Sequence, residues 1–324
     1  MRKSRIIVAS LTALSVVGLA ACSSGDDSSS GGSGSGEIRV GASLLTQTHP
    51  FYVAMKEAME DEATNQDIDL TVSIADQDLN RQISQVEDFV NQDVDVIVLS
   101  PVDSEGVAGA IKKADAAGIP VITVDIAANG VDVASHIATD NVTGGMIAAE
   151  ALSQFLDGTG EVGLITYPEI QSVVDRIDGF KTVAEQYPGI EIVKEVPGRD
   201  RAEAKAAAED MLTAQPELAG IFGFGDDMAL AAAQATASAK SDAVVVGFDG
   251  MEEAIAGVDS DSAFQAVVTQ HPDEMGVKAM EAAADLAAGE DVEKLIPITP
   301  GLYVHGKGEV EVTVNGDKVE VDVK

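Results

Sequence analysis

The body of the chain alternates short apolar runs with longer stretches of helical spacing, and this alternation constrains the fold more than any other feature. The apolar runs are bounded by turn-forming residues and cover 38–43, 70–74, 94–99, 120–124, 162–165, 190–193, 218–222 and 244–248. Helical patterns lie between them, at 50–64, 80–91, 104–117, 141–156, 200–212 and 229–238. Strand, helix and strand in repetition predict an α/β fold with parallel sheets of the doubly wound type.

The runs at 94–99 and 244–248 are almost continuously apolar, which is typical of central strands buried on both faces. Composition agrees, because a chain that is 45% hydrophobic with only 4% aromatic residues must build its core from Val, Ile, Leu and Ala. One series of strands and helices ends near Ala138 and a second begins near Asp140. The sequence therefore predicts two lobes with a ligand cleft between them, near the ends of the strands.

The first 21 residues have the pattern of a targeting segment. A basic start, an apolar run and small residues predict a secretory signal. The segment ends in Leu-Ala-Ala-Cys22, which resembles the lipobox of bacterial lipoproteins, in which the cysteine becomes the lipidated first residue. A buried or stray thiol is the alternative, but Cys22 is the single cysteine and follows an apolar segment. Residues 22–36, rich in Ser, Gly and Asp, predict a flexible linker, so we expect an extracytoplasmic body anchored to the cell membrane by lipid, at the cell surface or in the periplasm.

The charge balance and the missing motifs exclude several classes of function. With 20 Lys and Arg against 55 Asp and Glu, the chain cannot neutralise a phosphate backbone, so nucleic acid is not a partner. It contains no Gly-x-Ser-x-Gly elbow, no Walker phosphate loop and no His-Glu-x-x-His pair. Four histidines at 49, 136, 271 and 305 give no recognisable metal spacing. We therefore expect no cofactor, no metal and no catalytic residue, and read residues 223–228 as a tight strand-to-helix turn.

The last segment of the chain has a different residue pattern from the body. Residues 298–324 form a C-terminal extension in which apolar and polar residues alternate on either side of Asn315-Gly316. This pattern predicts a β-hairpin. No function follows from it.

Six segments, in this order and spacing, point to a family: 50–56, 100–104, 118–125, 135–141, 226–230 and 245–250. Together they resemble the ribose-binding-protein group of solute-binding proteins, which serve bacterial ABC importers. The similarity runs from about Ile38 to Pro297. It implies the type I periplasmic-binding-protein fold, two Rossmann-like lobes joined by a three-strand hinge, with 37–138 plus 271–297 as the N-terminal lobe and 139–270 as the C-terminal lobe. Such lobes close on a ligand, and the permease recognises the closed form.

The resemblance also implies a ligand site. The matching positions are Ser43, Phe51, Tyr52, Asp125, Asp249 and Gln270. The two aromatic rings would pack on a sugar ring, and the carboxylates would accept bonds from hydroxyls. From the residues alone, the rings fit core positions, Asp125 and Asp249 fit turns or caps, and Gln270 fits a hinge residue that satisfies the backbone.

At other pocket positions this chain departs from the family. His49 and Ser100 stand where the family has asparagines, and Arg199 stands where it has an aromatic residue. Isoleucine and valine, at 126 and 174, replace two arginines, and glycine at 225 replaces an asparagine. Losing two bidentate donors suits a small polyol other than ribose, such as a linear sugar alcohol or a deoxy sugar. Arg176 and Asp140 are assigned to structure, the latter as a helix cap.

We therefore expect a monomeric solute-binding lipoprotein that captures a small sugar or sugar alcohol and delivers it to an ABC permease and its ATPase. Affinity would come from a cleft that closes and excludes water, without covalent chemistry. Two rivals stay open. One is a sensory receptor of the same fold for a small sugar-like signal, and the other is an extracytoplasmic glycoside-processing enzyme.

Overall fold

The chain folds into two α/β lobes, each built around a mainly parallel sheet, in a computed structural model that describes residues 37–260 and 262–324. The predicted signal segment, the linker and the lipidation of Cys22 lie outside the described residues. Within the described part of the chain, no helix combines the length and the apolar character needed to cross a membrane.

Strands and helices alternate over most of the chain, as the sequence pattern predicts. The strands are β1 (Ile38–Leu44), β2 (Ile68–Ile74), β3 (Val96–Leu99), β4 (Val121–Val124), β5 (Ser135–Thr139), β6 (Thr159–Thr166), β7 (Gly189–Pro197), β8 (Leu218–Gly223), β9 (Val244–Asp249), β10 (Phe264–Thr269), β11 (Leu295–Ile298), β12 (Gly301–Val304), β13 (Gly308–Val310), β14 (Thr313–Asn315) and β15 (Lys318–Glu320). The helices are α1 (Pro50–Asn65), α2 (Leu79–Asn91), α3 (Ala108–Ala116), α4 (Asn141–Phe155), α5 (Gln171–Ala184), α6 (Arg201–Ala214), α7 (Asp226–Ala239), α8 (Glu252–Asp259) and α9 (Pro272–Ala287).

The first lobe holds a six-stranded parallel sheet in the order β11-β5-β4-β3-β1-β2. The second lobe holds a seven-stranded sheet in the order β13-β12-β10-β9-β8-β6-β7, in which only β12 and β13 run antiparallel to their neighbours. Strands β3 and β9 lie inside their sheets, as their continuous apolar character predicts. Helices cover both faces of such strands, so each side chain of β3 is buried.

Three crossings join the lobes: between β5 and α4, between β10 and α9, and between β11 and β12. Helix α9 returns to the first lobe and packs on α1 so closely that a Cβ at Gly276 would stand 2.5 Å from the carbonyl oxygen of Met55. The two-lobed α/β architecture is thus confirmed. The residue bounds given above for each lobe stay a prediction.

Local chemistry explains where several helices begin. Asp140 caps α4, since its Oδ1 accepts the N–H of Thr143 at 3.0 Å. Helix α7 begins at Asp226, inside the segment 223–228 that is predicted to be a tight strand-to-helix turn. A Cβ at Gly223 would stand 2.6 Å from the Ala229 nitrogen, so this close turn requires glycine.

Helices α5, α8 and α9 lie outside the helical patterns named above, and packing explains the first of them, α5. Its interior contains Gly179, which is a poor helix former. Tertiary packing explains the residue, because a Cβ there would stand 2.0 Å from the carbonyl oxygen of Val142 in α4. Close approach of α4 and α5 therefore overrides helix propensity.

The C-terminal extension contains the predicted hairpin, in a shorter form. Asn315 pairs with Lys318, so the turn residues are Gly316 and Asp317 rather than Asn315 and Gly316. Beyond the turn, Val319 and Val323 are buried in the core of the second lobe. The extension is thus an integral part of that lobe.

Candidate ligand-binding site

A cavity of about 530 Å³ lies between the lobes. Residues that follow the carboxyl ends of strands in both sheets line it, including Leu45 after β1, Asp125 after β4 and Phe224 after β8. This is the place where open parallel sheets collect ligands. The cleft that the sequence predicts between the two series of strands is therefore present.

Four helices begin at the cavity wall. The first turns of α1, α5, α6 and α7 contribute Phe51, Ser172, Ala202 and Asp226 to the lining. Main-chain N–H groups in a first turn lack intrahelical partners, and the helix dipole adds positive potential there. Side chains already cap some of these groups, since the Phe51 N–H donates to His49 Nδ1 and the Ala202 N–H donates to Asp200 Oδ1.

The first lobe supplies an aromatic pair and a buried carboxylate. The rings of Phe51 and Tyr52 meet edge to face, with centroids 5.1 Å apart. The Tyr52 hydroxyl donates to Asp125 Oδ2 at 2.6 Å. Burial raises the pKa of Asp125 to about 6, and burial together with the Asp125 charge raises the pKa of Tyr52 well above its usual value. The phenol therefore keeps its proton and orients the carboxylate.

The second lobe supplies Asp249, which is 8% exposed. Its Oδ1 accepts from Gln270 Nε2 at 2.6 Å and from Arg176 Nη1 at 3.3 Å. Gln270 in turn accepts at Oε1 from Thr139 Oγ1 at 2.5 Å. Asp249 ends β9 with a φ of 101°, and Asp125 directly follows β4 with a φ of 62°, so both carboxylates sit on backbone of positive φ at a strand end.

His49 joins the two lobes. It caps α1, where its Nδ1 accepts the N–H of Phe51 at 3.3 Å. Its Nε2 lies 3.7 Å from Asp249 Oδ2. The ring thus spans the cleft between the first turn of α1 and the end of β9.

Arg176 is the site residue that the sequence analysis missed, because it assigned this side chain to structure alone. The residue is 4% exposed and lines the cavity. Its Nε donates to Asn141 Oδ1 at 2.8 Å, its Nη1 donates to the Phe224 carbonyl oxygen at 2.6 Å, and its guanidinium carbon lies 3.8 Å from the centroid of the Phe248 ring. The available signal was an arginine among the apolar positions 173, 177 and 180 of one helical face.

Asp226 has a structural role at the cavity floor. Its two carboxylate oxygens accept the N–H groups of Gly250 at 3.0 Å and Met251 at 2.8 Å. Atoms of His49, Asp226 and Asp249 lie within 4.8 Å of one another, a spacing that a cation can use. The Asp226 oxygens are engaged by these backbone bonds, so the donor set fits a hydrogen-bonded loop better than a metal centre.

The structure brings six of the nine proposed ligand-binding residues to the cavity wall: His49, Phe51, Tyr52, Asp125, Arg199 and Asp249. Arg199 sits at the rim, where its side chain is 57% exposed and pairs with Glu203 at 2.9 Å. Ile126 and Gly225 line the cavity as well.

The other three residues lie behind the wall. Ser43 is fully buried and its hydroxyl donates to Gln85 Oε1 at 2.7 Å, so it faces α2 rather than the cleft. Ser100 is also fully buried, and its hydroxyl has no hydrogen-bond partner among the described residues. Gln270 reaches the cavity only through Asp249. Packing keeps Ser43, Ser100 and Gln270 from the cavity lining, and their direct contact with a ligand stays a prediction.

Two α/β lobes joined by three crossings, with aromatic and carboxylate side chains facing a shared cavity, define a two-lobed solute-binding protein. A family model described as periplasmic binding protein domain matches residues 40–291. The chain belongs to this family.

Relatives and solved structures agree with this family assignment. The ribose import binding protein of Bacillus subtilis (strain 168) is 34% identical over 261 residues, which cover 80% of this chain and 85% of that protein. The xylitol-binding protein of Mycolicibacterium smegmatis is 28% identical, and the match covers 86% of this chain and 79% of that protein. The crystal structure of an ABC transporter solute binding protein from Mycobacterium smegmatis with bound glycerol has a TM-score of 0.76 and 32% identity, covering 84% of this chain and 96% of that one.

Proposed function

We propose that this protein captures a small uncharged sugar or polyol outside the cytoplasmic membrane and delivers it unchanged to an ABC importer. The observation that carries the proposal is the pair Asp125 and Asp249. Each carboxylate stands at the carboxyl end of a strand of a different lobe, and both line one cavity. A carboxylate accepts strong hydrogen bonds from hydroxyl groups, so a ligand bearing several hydroxyls can be held from both lobes at once.

The remaining wall suits the same class of ligand. Phe51 and Tyr52 offer flat apolar surface to the C–H groups of a ligand. The carboxylates can accept hydrogen bonds from its hydroxyl groups, and Arg176 can donate to its oxygen atoms. The relatives named above are binding proteins for ribose and xylitol, which are both small polyhydroxylated molecules. The ligand is not necessarily ribose, because isoleucine at 126 and glycine at 225 line the wall where the ribose-binding group has side-chain donors.

Anchoring and partners complete the proposal. A lipid on Cys22 would hold the body at the membrane, and residues 22–36 would act as the tether. The partners would be a permease and its ATPase, and the protein would act as a monomer. Metabolic labelling with a fatty-acid analogue tests the anchor, since a Cys22→Ser variant should lose the label.

A thermal-shift screen followed by calorimetry tests the ligand class. The protein is the chain from Glu37 onward, which forms one compact unit. The panel is D-ribose, D-allose, L-rhamnose, xylitol, myo-inositol and glycerol. We expect at least one of them to raise the unfolding midpoint by several degrees, because a ligand that binds only the folded state stabilises it. Failure of every panel member to bind would refute the proposal.

Two further measurements separate the rival functions. NMR spectra of the ligand after prolonged incubation should be unchanged, whereas a glycoside-processing enzyme would alter them. Uptake of the labelled ligand should fall when the gene is deleted and return with the intact gene, whereas a sensory receptor would change gene expression or movement without changing initial uptake. Asp291→Asn serves as the control in each assay, because the Asp291 side chain is exposed and position 291 is distant in sequence from the cavity-lining residues.

A further inference from the structure

The two lobes contact each other through uncharged groups next to the cavity. Gln171, the first residue of α5 in the second lobe, donates its main-chain N–H to Ser104 Oγ at 3.2 Å. Its side-chain Oε1 accepts from Asn129 Nδ2 at 2.9 Å. Ser104 follows β3 and Asn129 follows β4, so both belong to the first lobe. We call these two hydrogen bonds the interlobe clasp.

Ser104 caps α5 from the opposite lobe. Main-chain N–H groups in the first turn of a helix lack intrahelical partners. Ile170, the residue before α5, makes no side-chain capping bond. Helices α4 and α6, in contrast, are capped by Asp140 and Asp200, which lie next to them in the chain. If the lobes part, the Gln171 N–H therefore loses its capping oxygen.

The groups that form the clasp are also held within their own lobes. In the first lobe, the Asn129 N–H donates to the Ser104 carbonyl oxygen at 2.6 Å, which ties the two loops together. In the second lobe, Gln171 Nε2 donates to Asp175 Oδ1 at 2.7 Å, which orients the amide. Because each side is ordered separately, forming the clasp costs little conformational entropy.

An apolar contact between the lobes lies beside the clasp. Ile126, which follows β4 in the first lobe, is 2% exposed and belongs to the core cluster of the second lobe together with Ile170 and Val173. Ile170 directly precedes Gln171. The clasp is thus part of a packed surface between the lobes. Its own three residues are not among those that line the cavity.

We propose that Ser104, Asn129 and Gln171 are positioning residues that set ligand affinity without touching the ligand, because their clasp stabilises the arrangement in which the lobes are together. A ligand held between two lobes leaves only after the lobes part, so bonds between the lobes slow its release. The apparent affinity also scales with the population of the binding-competent arrangement. This inference rests on the proposed function and adds a determinant of affinity that does not depend on which sugar or polyol is bound.

Calorimetry on clasp variants tests the inference, with the panel members that bind wild type as probes. Ser104→Ala, Asn129→Ala and Gln171→Ala should each weaken binding of every such probe by about three- to tenfold, as expected for one uncharged hydrogen bond. Methyl NMR line shapes should show that faster release accounts for the loss. The double variant Asn129→Ala/Gln171→Ala should bind within about twofold of the weaker single variant, because both changes remove the same bond.

Gln154→Ala is the matched control. The Gln154 side chain donates to Glu150 Oε1 at 2.8 Å and to the Val321 carbonyl oxygen at 2.9 Å, and both partners lie in the second lobe. This variant loses hydrogen bonds within one lobe and leaves the clasp intact, so we expect its affinity to stay within twofold of wild type. Circular dichroism and the unfolding midpoint verify that each variant is folded.

Four outcomes overturn the inference. Gln171→Ala could bind as tightly as Gln154→Ala, or it could weaken one probe and spare another, which would make it a ligand contact. The losses of Asn129→Ala and Gln171→Ala could add fully in the double variant. Slower association could account for the whole loss of affinity. Each of these outcomes leaves panel binding to wild type intact and so spares the proposed function, whereas failure of every panel member to bind wild type removes both.

Discussion

The hydroxyl of Tyr52 donates to Asp125 Oδ2 across 2.6 Å, inside the first lobe and at the cavity wall. This bond fixes one carboxylate oxygen and leaves the other for a ligand. It also places an ionisable group in a site that is 5% exposed, where desolvation disfavours its charge. The binding site therefore contains a group whose ionisation opposes folding.

Asp125 should make stability depend on pH. Burial raises its folded pKa to about 6, above the ordinary value of about 4. The folded state thus binds this proton more tightly, so the associated stability is full below about pH 4 and is lost as pH rises through about 6. Asp125→Asn should remove this loss, which amounts to roughly 2–3 kcal/mol. Urea unfolding at pH 4, 5, 6 and 7 measures it, with Asp291→Asn as control. Parallel pH profiles for wild type and Asp125→Asn would contradict the assignment.

Asp249 should matter for both binding and folding. Asp249→Asn keeps the shape of the side chain but removes its charge, so hydrogen bonds from ligand hydroxyls weaken. We expect affinity to fall by about 100-fold. The unfolding free energy should fall by about 1–3 kcal/mol, because Arg176 then lacks its anionic partner. Calorimetry and urea unfolding on the same samples measure the two effects. An affinity within threefold of wild type would remove Asp249 from the site.

Gly225 should control access to Asp249. A Cβ at this position would meet Oδ2 at 3.1 Å. The backbone there is extended, with φ of −154°, so alanine causes no backbone strain. Gly225→Ala should therefore weaken ligand binding by about fivefold while the unfolding midpoint changes little. Gly109→Ala is the matched control, since nothing lies within 4 Å of that Cβ. Equal affinity of the two variants would show that ligands do not approach Oδ2 past position 225.

The fold was largely predictable from the sequence, because apolar runs and helical spacing report burial directly. All eight predicted strands are present, and 94–99 and 244–248 include the central strands β3 and β9. The apolar pattern does not predict strand β5, because Ser135, His136 and Thr139 interrupt it. The helical pattern does not predict helix α5, because the contact that requires Gly179 is made with another helix.

The binding site was predictable from the strand pattern where strand ends place residues on the wall, whereas Phe51 and Tyr52 in α1 were predicted through the family resemblance. Asp125 follows β4 and Asp249 ends β9, and both line the cavity. Ser43 also lies at a strand end, but β1 alternates its side chains and this one faces α2. Arg176 was assigned to structure although it interrupts the apolar face of α5, because its place at the cavity depends on how α5 packs against α4. Sequence therefore located the cleft, while side-chain direction decided which residues reach it.

The C-terminal extension should contribute to the stability of the second lobe. Val319 is 6% exposed and belongs to the core cluster of that lobe, whereas Val314 on the facing strand is 37% exposed. The two residues pair directly across the hairpin. Val319→Ala should lower the unfolding free energy by about 1–2 kcal/mol, because a buried side chain is truncated. Val314→Ala should change it by less than about 0.5 kcal/mol. Urea unfolding of both variants measures the difference. Equal effects would mean that the hairpin is not packed on the lobe, whereas the expected difference would show that residues 313–324 are needed to complete its core.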